Sequence, residues 1–121
     1  MNAQLQLKEK RRLKRFSAQL KVYSQINDEL IGYSENLHVE GMMIVTKKPI
    51  PKDQEIDIWF GVDKEEKRLN RIFVSAYKVW ESFTDNDERF YYSGLHFIAP
   101  SGDTLDKIQT LLYKLEDEKI Q

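Results

Sequence analysis

The sequence predicts an all-β domain with one terminal α-helix, in which short, mostly antiparallel strands form a small barrel or sandwich. Three observations carry this. About six segments read as strands, most of them alternating apolar and polar residues with a period of two. Clusters of Asn, Asp and Pro separate those segments at regular spacing. Beyond residue 101 the period changes, and Leu105, Ile108, Leu111, Leu112 and Leu115 follow helical spacing.

The elements follow in order. Phe16 to Ser24 places Phe16, Ala18, Leu20 and Val22 on one side and Ser17, Gln19 and Lys21 on the other, as a half-buried strand does. Asn27-Asp28 is a turn signal, and Glu29 to Ser34 reads as a second strand with a bulge expected at Gly32. Met42–Thr46 is an apolar third strand. Pro49-Ile50-Pro51-Lys52-Asp53 is a turn, since its two prolines restrict the backbone and remove donors. Gln54–Phe60 sets Ile56, Ile58 and Phe60 against Glu55, Asp57 and Trp59. A charged hairpin loop, Asp63–Arg68, leads into a strand from Arg71 to Trp80 that is expected to hold a bulge. After a turn at Thr84–Asp87, Phe90–Ile98 presents Tyr91, Ser93, Leu95 and Phe97 on one face. The helix spans about 101–119, with Ser101 or Asp103 placed to cap its start. Its apolar stripe requires it to pack on the sheet or close a barrel end.

Composition bounds the function. At 121 residues, 40% apolar and 32% charged, the chain fits one globular domain. We expect residues 1–10 to form a flexible basic arm and residues 11–121 the domain itself. The absence of cysteine excludes disulfide and thiolate chemistry and fits a reducing compartment, so a cytoplasmic setting is expected. No signal-peptide hydrophobic region is recognisable, and Met42–Val45, the longest apolar run, is too short to span a bilayer. His38 and His96 have no metal-ligand spacing partner, and no phosphate-binding Gly-rich loop of the nucleotide-hydrolase kind occurs. The expectation is therefore a protein that is not an enzyme and holds no metal or resident cofactor.

Charge is unevenly distributed. In Lys8-Glu9-Lys10-Arg11-Arg12-Leu13-Lys14-Arg15, six of eight residues are basic. The whole chain holds 19 basic and 20 acidic residues, so the body without this octet has a net charge of −6. Two readings stand: a solvated basic tail, or an anion clamp completed by residues of the folded body. Asn36-x-His38-x-x-Gly41 is the candidate second half. An Asn amide offers donor and acceptor to a purine edge, and Gly41 permits close backbone approach or positive φ. Taken alone, the same residues better suit a turn or bulge between strands.

Together, Arg11-Arg12-Leu13-Lys14-Arg15 and Asn36-Leu37-His38-Val39-Glu40-Gly41 resemble the two signature motifs of the PilZ domain family, Arg-Arg-x-x-Arg and Asp/Asn-x-Ser-x-x-Gly. The resemblance continues through Met42–Thr46, Pro49–Asp53, Val79-Trp80 and Tyr91–Phe97, covering about residues 8–115. It implies a six-stranded antiparallel β-barrel with a C-terminal helix, acting as a receptor for the bacterial second messenger cyclic di-GMP. By position it implies that Arg11 and Arg15 grip the ligand with Arg12 as auxiliary, that Asn36 bonds a base and that Gly41 keeps the strand start open; Trp80 matches a position near the ligand in some members and equally suits a partly buried strand aromatic. His38 stands where the family has serine, and its imidazole can donate to guanine, stack on it or block it. The function implied is a stand-alone adaptor, monomeric or weakly dimeric, that relays ligand binding to a downstream protein. The alternative is a PilZ-like module that binds proteins but not the nucleotide. A nucleic-acid polymer is not an expected partner, because the body is acidic.

Overall fold

The computed structural model describes residues 20–61, 71–84 and 89–120, with side chains of the helix described to Leu115. The strands are β1 (Leu20–Ser24), β2 (Leu30–Leu37), β3 (Gly41–Thr46), β4 (Glu55–Gly61), β5 (Ile72–Phe83) and β6 (Tyr91–Phe97), followed by α1 (Gly102–Ile120). They pair antiparallel in the order β1-β2-β3-β6-β5-β4, and β1 also pairs with β4, so the sheet closes into a barrel. This is the six-stranded barrel with a C-terminal helix expected from the sequence. Phe16, Ala18, the basic octet, the Asp63–Arg68 loop and Asp85–Asp87 lie outside the described residues.

The alternating residues fill the barrel. Val22, Ile44, Ile58, Phe60 and Ala76 are fully buried, and α1 adds Ile108, Leu111 and Leu115 to the same core. Ser101 caps the helix: its hydroxyl accepts the Thr104 N–H at 3.1 Å. The Thr104 hydroxyl in turn donates to the Phe73 carbonyl at 3.3 Å, which ties the first turn of α1 to β5.

Three register shifts depart from simple alternation. Val22 pairs with Gly32 but Tyr23 with Leu30, so Ile31 is the extra residue and not Gly32. Gly32 instead allows close approach, since a Cβ there would strike the Val45 carbonyl oxygen. Ser34 pairs with Ile44 and Asn36 with Met43, which makes Glu35 a second bulge. Lys78 pairs with Leu95 and Trp80 with Gly94, which makes Val79 a third. β2 and β5 also run beyond their expected ends, to Leu37 and Phe83. β4 follows β5 only as far as Tyr77, so Lys78–Phe83 pair with β6 alone. Within that overhang the Lys78 ammonium donates to the Ile50 carbonyl at 2.6 Å and to Glu81 at 2.7 Å.

Trp59 faces outward beside Glu55 and Asp57, as its parity predicts, yet it is only 1% exposed. Tyr23 stacks on it at 4.3 Å, and the Arg71 guanidinium lies 4.2 Å from the ring centroid. Its indole N–H donates to the Asp28 carboxylate at 2.8 Å. Asp28 itself holds the left-handed turn conformation with φ 58°, so one residue makes the β1–β2 turn and anchors this outer aromatic layer.

Candidate functional site

Two of the bulges decide which side chains leave the barrel. Ser34 and Leu37 both point into the core, at 0% and 6% exposure. In a regular strand Asn36 would share the inward parity of Ser34. The extra residue at Glu35 reverses that parity, so Asn36 turns outward opposite Met43. The same happens on β5. Ala76 is buried, Tyr77 faces outward, and the insertion of Val79 brings Trp80 to the outer face as well.

The result is two neighbouring rows on the outside of β2, β3, β6 and β5. One row is Asn36, Met43, Gly94 and Trp80, each the register partner of the next. The other is Gly41, His96 and Tyr77. Along β3 and β6 the rows are two residues apart, or about 6–7 Å. Trp80, 47% exposed, covers Gly94: a Cβ on Gly94 would collide with the indole, its nearest atom being Nε1. The Tyr77 and His96 rings meet at 5.4 Å, tilted by 53°. His38 is exposed just past β2, and its backbone N–H donates to the Gly41 carbonyl at 2.8 Å across the hairpin. Gly41 has an ordinary negative φ. Its role is close approach, since a Cβ would strike the Leu95 carbonyl oxygen.

The structure therefore brings Asn36, Gly41 and Trp80 onto one face, with His38 at its hairpin edge. Arg11, Arg12 and Arg15 lie outside the described residues. Tyr77 and His96 share this face, and neither belongs to the two sequence motifs. The signal that could have found them was the pairing of His96 with Gly41, which becomes visible only once β3 and β6 are in register. Among the described residues, the side chains of Asn36, His38, Tyr77, Trp80 and His96 make no hydrogen bond.

The outer face of a closed barrel is convex. A pocket of about 680 Å³ lies at the other end of β2 and β3, lined by residues including Leu30, Ile31, Val45 and Ile50, and none of Asn36, His38, Gly41 or Trp80 contributes to it. The four thus form an open platform, and enclosing a ligand on it requires a second segment. Among the described residues, no group of three or more His, Cys, Asp or Glu side chains could hold a metal ion, and no helix is long and apolar enough to cross a membrane.

Comparison with solved structures finds the same fold. The PilZ domain of YcgR from Escherichia coli, solved with c-di-GMP, superposes with a TM-score of 0.60 at 13% identity, over 83% of this chain and 82% of that one. The PlzA protein of Borreliella burgdorferi in complex with c-di-GMP gives a TM-score of 0.52 at 11% identity, over 88% of this chain and 49% of that one. No curated protein sequence matches. The sequence model of the PilZ domain matches residues 9–114, nearly the whole chain, and the protein therefore belongs to the PilZ domain family.

Proposed function

We propose that this domain is a receptor for cyclic di-GMP that acts as an adaptor in bacterial signalling, and not an enzyme. The observation that carries the reading is the convergence of Asn36, Gly41 and Trp80 on one outward platform. The basic motif has the reach to cover that platform. Arg15 stands five residues before Leu20, the register partner of Ser34, and five residues span at most about 18 Å. Both structures named above hold c-di-GMP, which supports the choice of ligand.

The chemistry matches. A cyclic dinucleotide presents two phosphates and two purines. Arg11, Arg12 and Arg15 supply planar forks for phosphate and for guanine O6 and N7. Asn36 supplies a base-edge amide and Trp80 an aromatic face for stacking. Ordering of the 1–10 arm, and of the arginine motif that opens the 11–121 domain, over the platform would change the surface that a downstream protein meets. Calorimetric titration of the full chain with cyclic di-GMP tests the reading. We expect saturable binding that weakens about ten- to a hundredfold per arginine lost in Arg11→Ala and Arg15→Ala, at 1.4 kcal/mol per decade. No heat at micromolar protein rejects it.

A second reading has its own support. His38 replaces the serine of the family motif at the exposed edge of the platform. A domain that binds only proteins would recover the same partner with and without nucleotide.

A further inference from the structure

We infer that Tyr77 and His96 form a second, affinity-setting part of the ligand platform, with the His96 imidazole as a hydrogen-bond donor to the bound cyclic dinucleotide. The inference rests on the receptor reading and extends it to residues outside the two sequence motifs.

The first row, from Asn36 to Trp80, is only one residue deep along the strands, whereas a cyclic dinucleotide carries two bases joined through a phosphate ring. The ligand is therefore wider than the row and must extend over a neighbour. On the Gly41 side that neighbour is Gly41, His96 and Tyr77. Gly41 contributes no side chain, so nothing on β3 in this row covers the His96 ring. Tyr77 lies against its other side, with ring centroids 5.4 Å apart and a 53° tilt. This aromatic contact favours a limited set of imidazole orientations and lowers the ordering cost of a contact made by its edge.

The pair is also accessible. Tyr77 is 41% exposed, His96 is exposed, and among the described residues neither side chain makes a hydrogen bond. A ring N–H is present in either neutral tautomer of histidine, so His96 can donate to a phosphate oxygen or to guanine O6 or N7, all of them acceptors. The Tyr77 ring adds stacking area next to that of Trp80.

The test is titration of cyclic di-GMP into the full-length chain and its variants, with the melting temperature measured in parallel. His96→Ala is expected to raise Kd about five- to tenfold. His96→Gln keeps a donor and should recover most of that loss. Tyr77→Phe should bind like the parent, and Tyr77→Ala should lose affinity as His96→Ala does. Melting temperatures should remain near the parent value, because both residues are exposed. Binding within twofold of the parent in both alanine variants overturns the inference and leaves the receptor reading intact. A His96→Gln variant as weak as His96→Ala overturns the donor role. A parent chain that binds no cyclic di-GMP overturns both readings.

Discussion

The Trp80 indole occupies the space above Gly94 that any side chain at that position would fill. Trp80 is half exposed and can swing away, so the fold should tolerate Gly94→Ala while the platform should not. We expect this variant to remain folded and to lose about tenfold in affinity for cyclic di-GMP, within the 1–3 kcal/mol typical of a base–aromatic stack. Calorimetry together with near-ultraviolet circular dichroism checks both halves of the expectation.

Gly41→Ala should behave in the opposite way. There the added methyl meets the Leu95 carbonyl, which belongs to the β3–β6 ladder and cannot rotate aside. The expected cost is about 1–3 kcal/mol of stability, as for other overpacked sites. Urea unfolding would read this as a lower midpoint at unchanged slope.

The two tryptophans of the chain sit in opposite environments, Trp59 at 1% and Trp80 at 47% exposure. In Trp59→Phe the remaining emission comes from Trp80 and should change on titration with cyclic di-GMP. In Trp80→Phe it comes from the covered Trp59 and should stay constant. Steady-state fluorescence of the two variants separates a ligand on the platform from a global rearrangement.

Asp28 serves both the turn and the indole N–H of Trp59. Asp28→Ala removes the acceptor and places alanine in the left-handed region, so a loss of about 2–4 kcal/mol is expected. Asp28→Asn keeps an acceptor and tolerates the same backbone, and it should cost less than about 1 kcal/mol. Thermal unfolding of the pair checks the difference.

Ile108 is fully buried among barrel residues. Ile108→Ala should destabilise by about 2–5 kcal/mol, whereas Ser101→Ala, which removes only the cap, should cost about 1 kcal/mol. Denaturant titration resolves both.

Most of the barrel was legible because alternation reports burial directly. Leu20 and Val22, Ile58 and Phe60, and Leu95 and Phe97 all point where their parity placed them. The ends of β2 and β5 were not legible. Glu35-Asn36 and Glu81-Ser82 interrupt the apolar pattern, although pairing with β3 and β6 continues past them. Parity also says nothing about what covers an outward face: it sets Trp59 beside Glu55 and Asp57 but does not reveal that Trp59 is buried there. The site was readable as a set of motifs but not as a surface. The outward turn of Asn36 and Trp80 depends on where one residue is inserted relative to a partner strand, and that is a property of register that no single segment carries.

Because β1 pairs on both sides, the barrel leaves little main chain for another protein to pair with. The overhang of β5 past β4, Lys78–Phe83, does present backbone on its β4 side, but Val79 breaks its regular spacing and Lys78 and Glu81 place charges along it. Irregular, charged edges of this kind resist addition of a strand. Edge-to-edge pairing at this overhang is thus disfavoured, and on the receptor function proposed above a downstream protein would meet side-chain shape and charge there, not an extendable sheet.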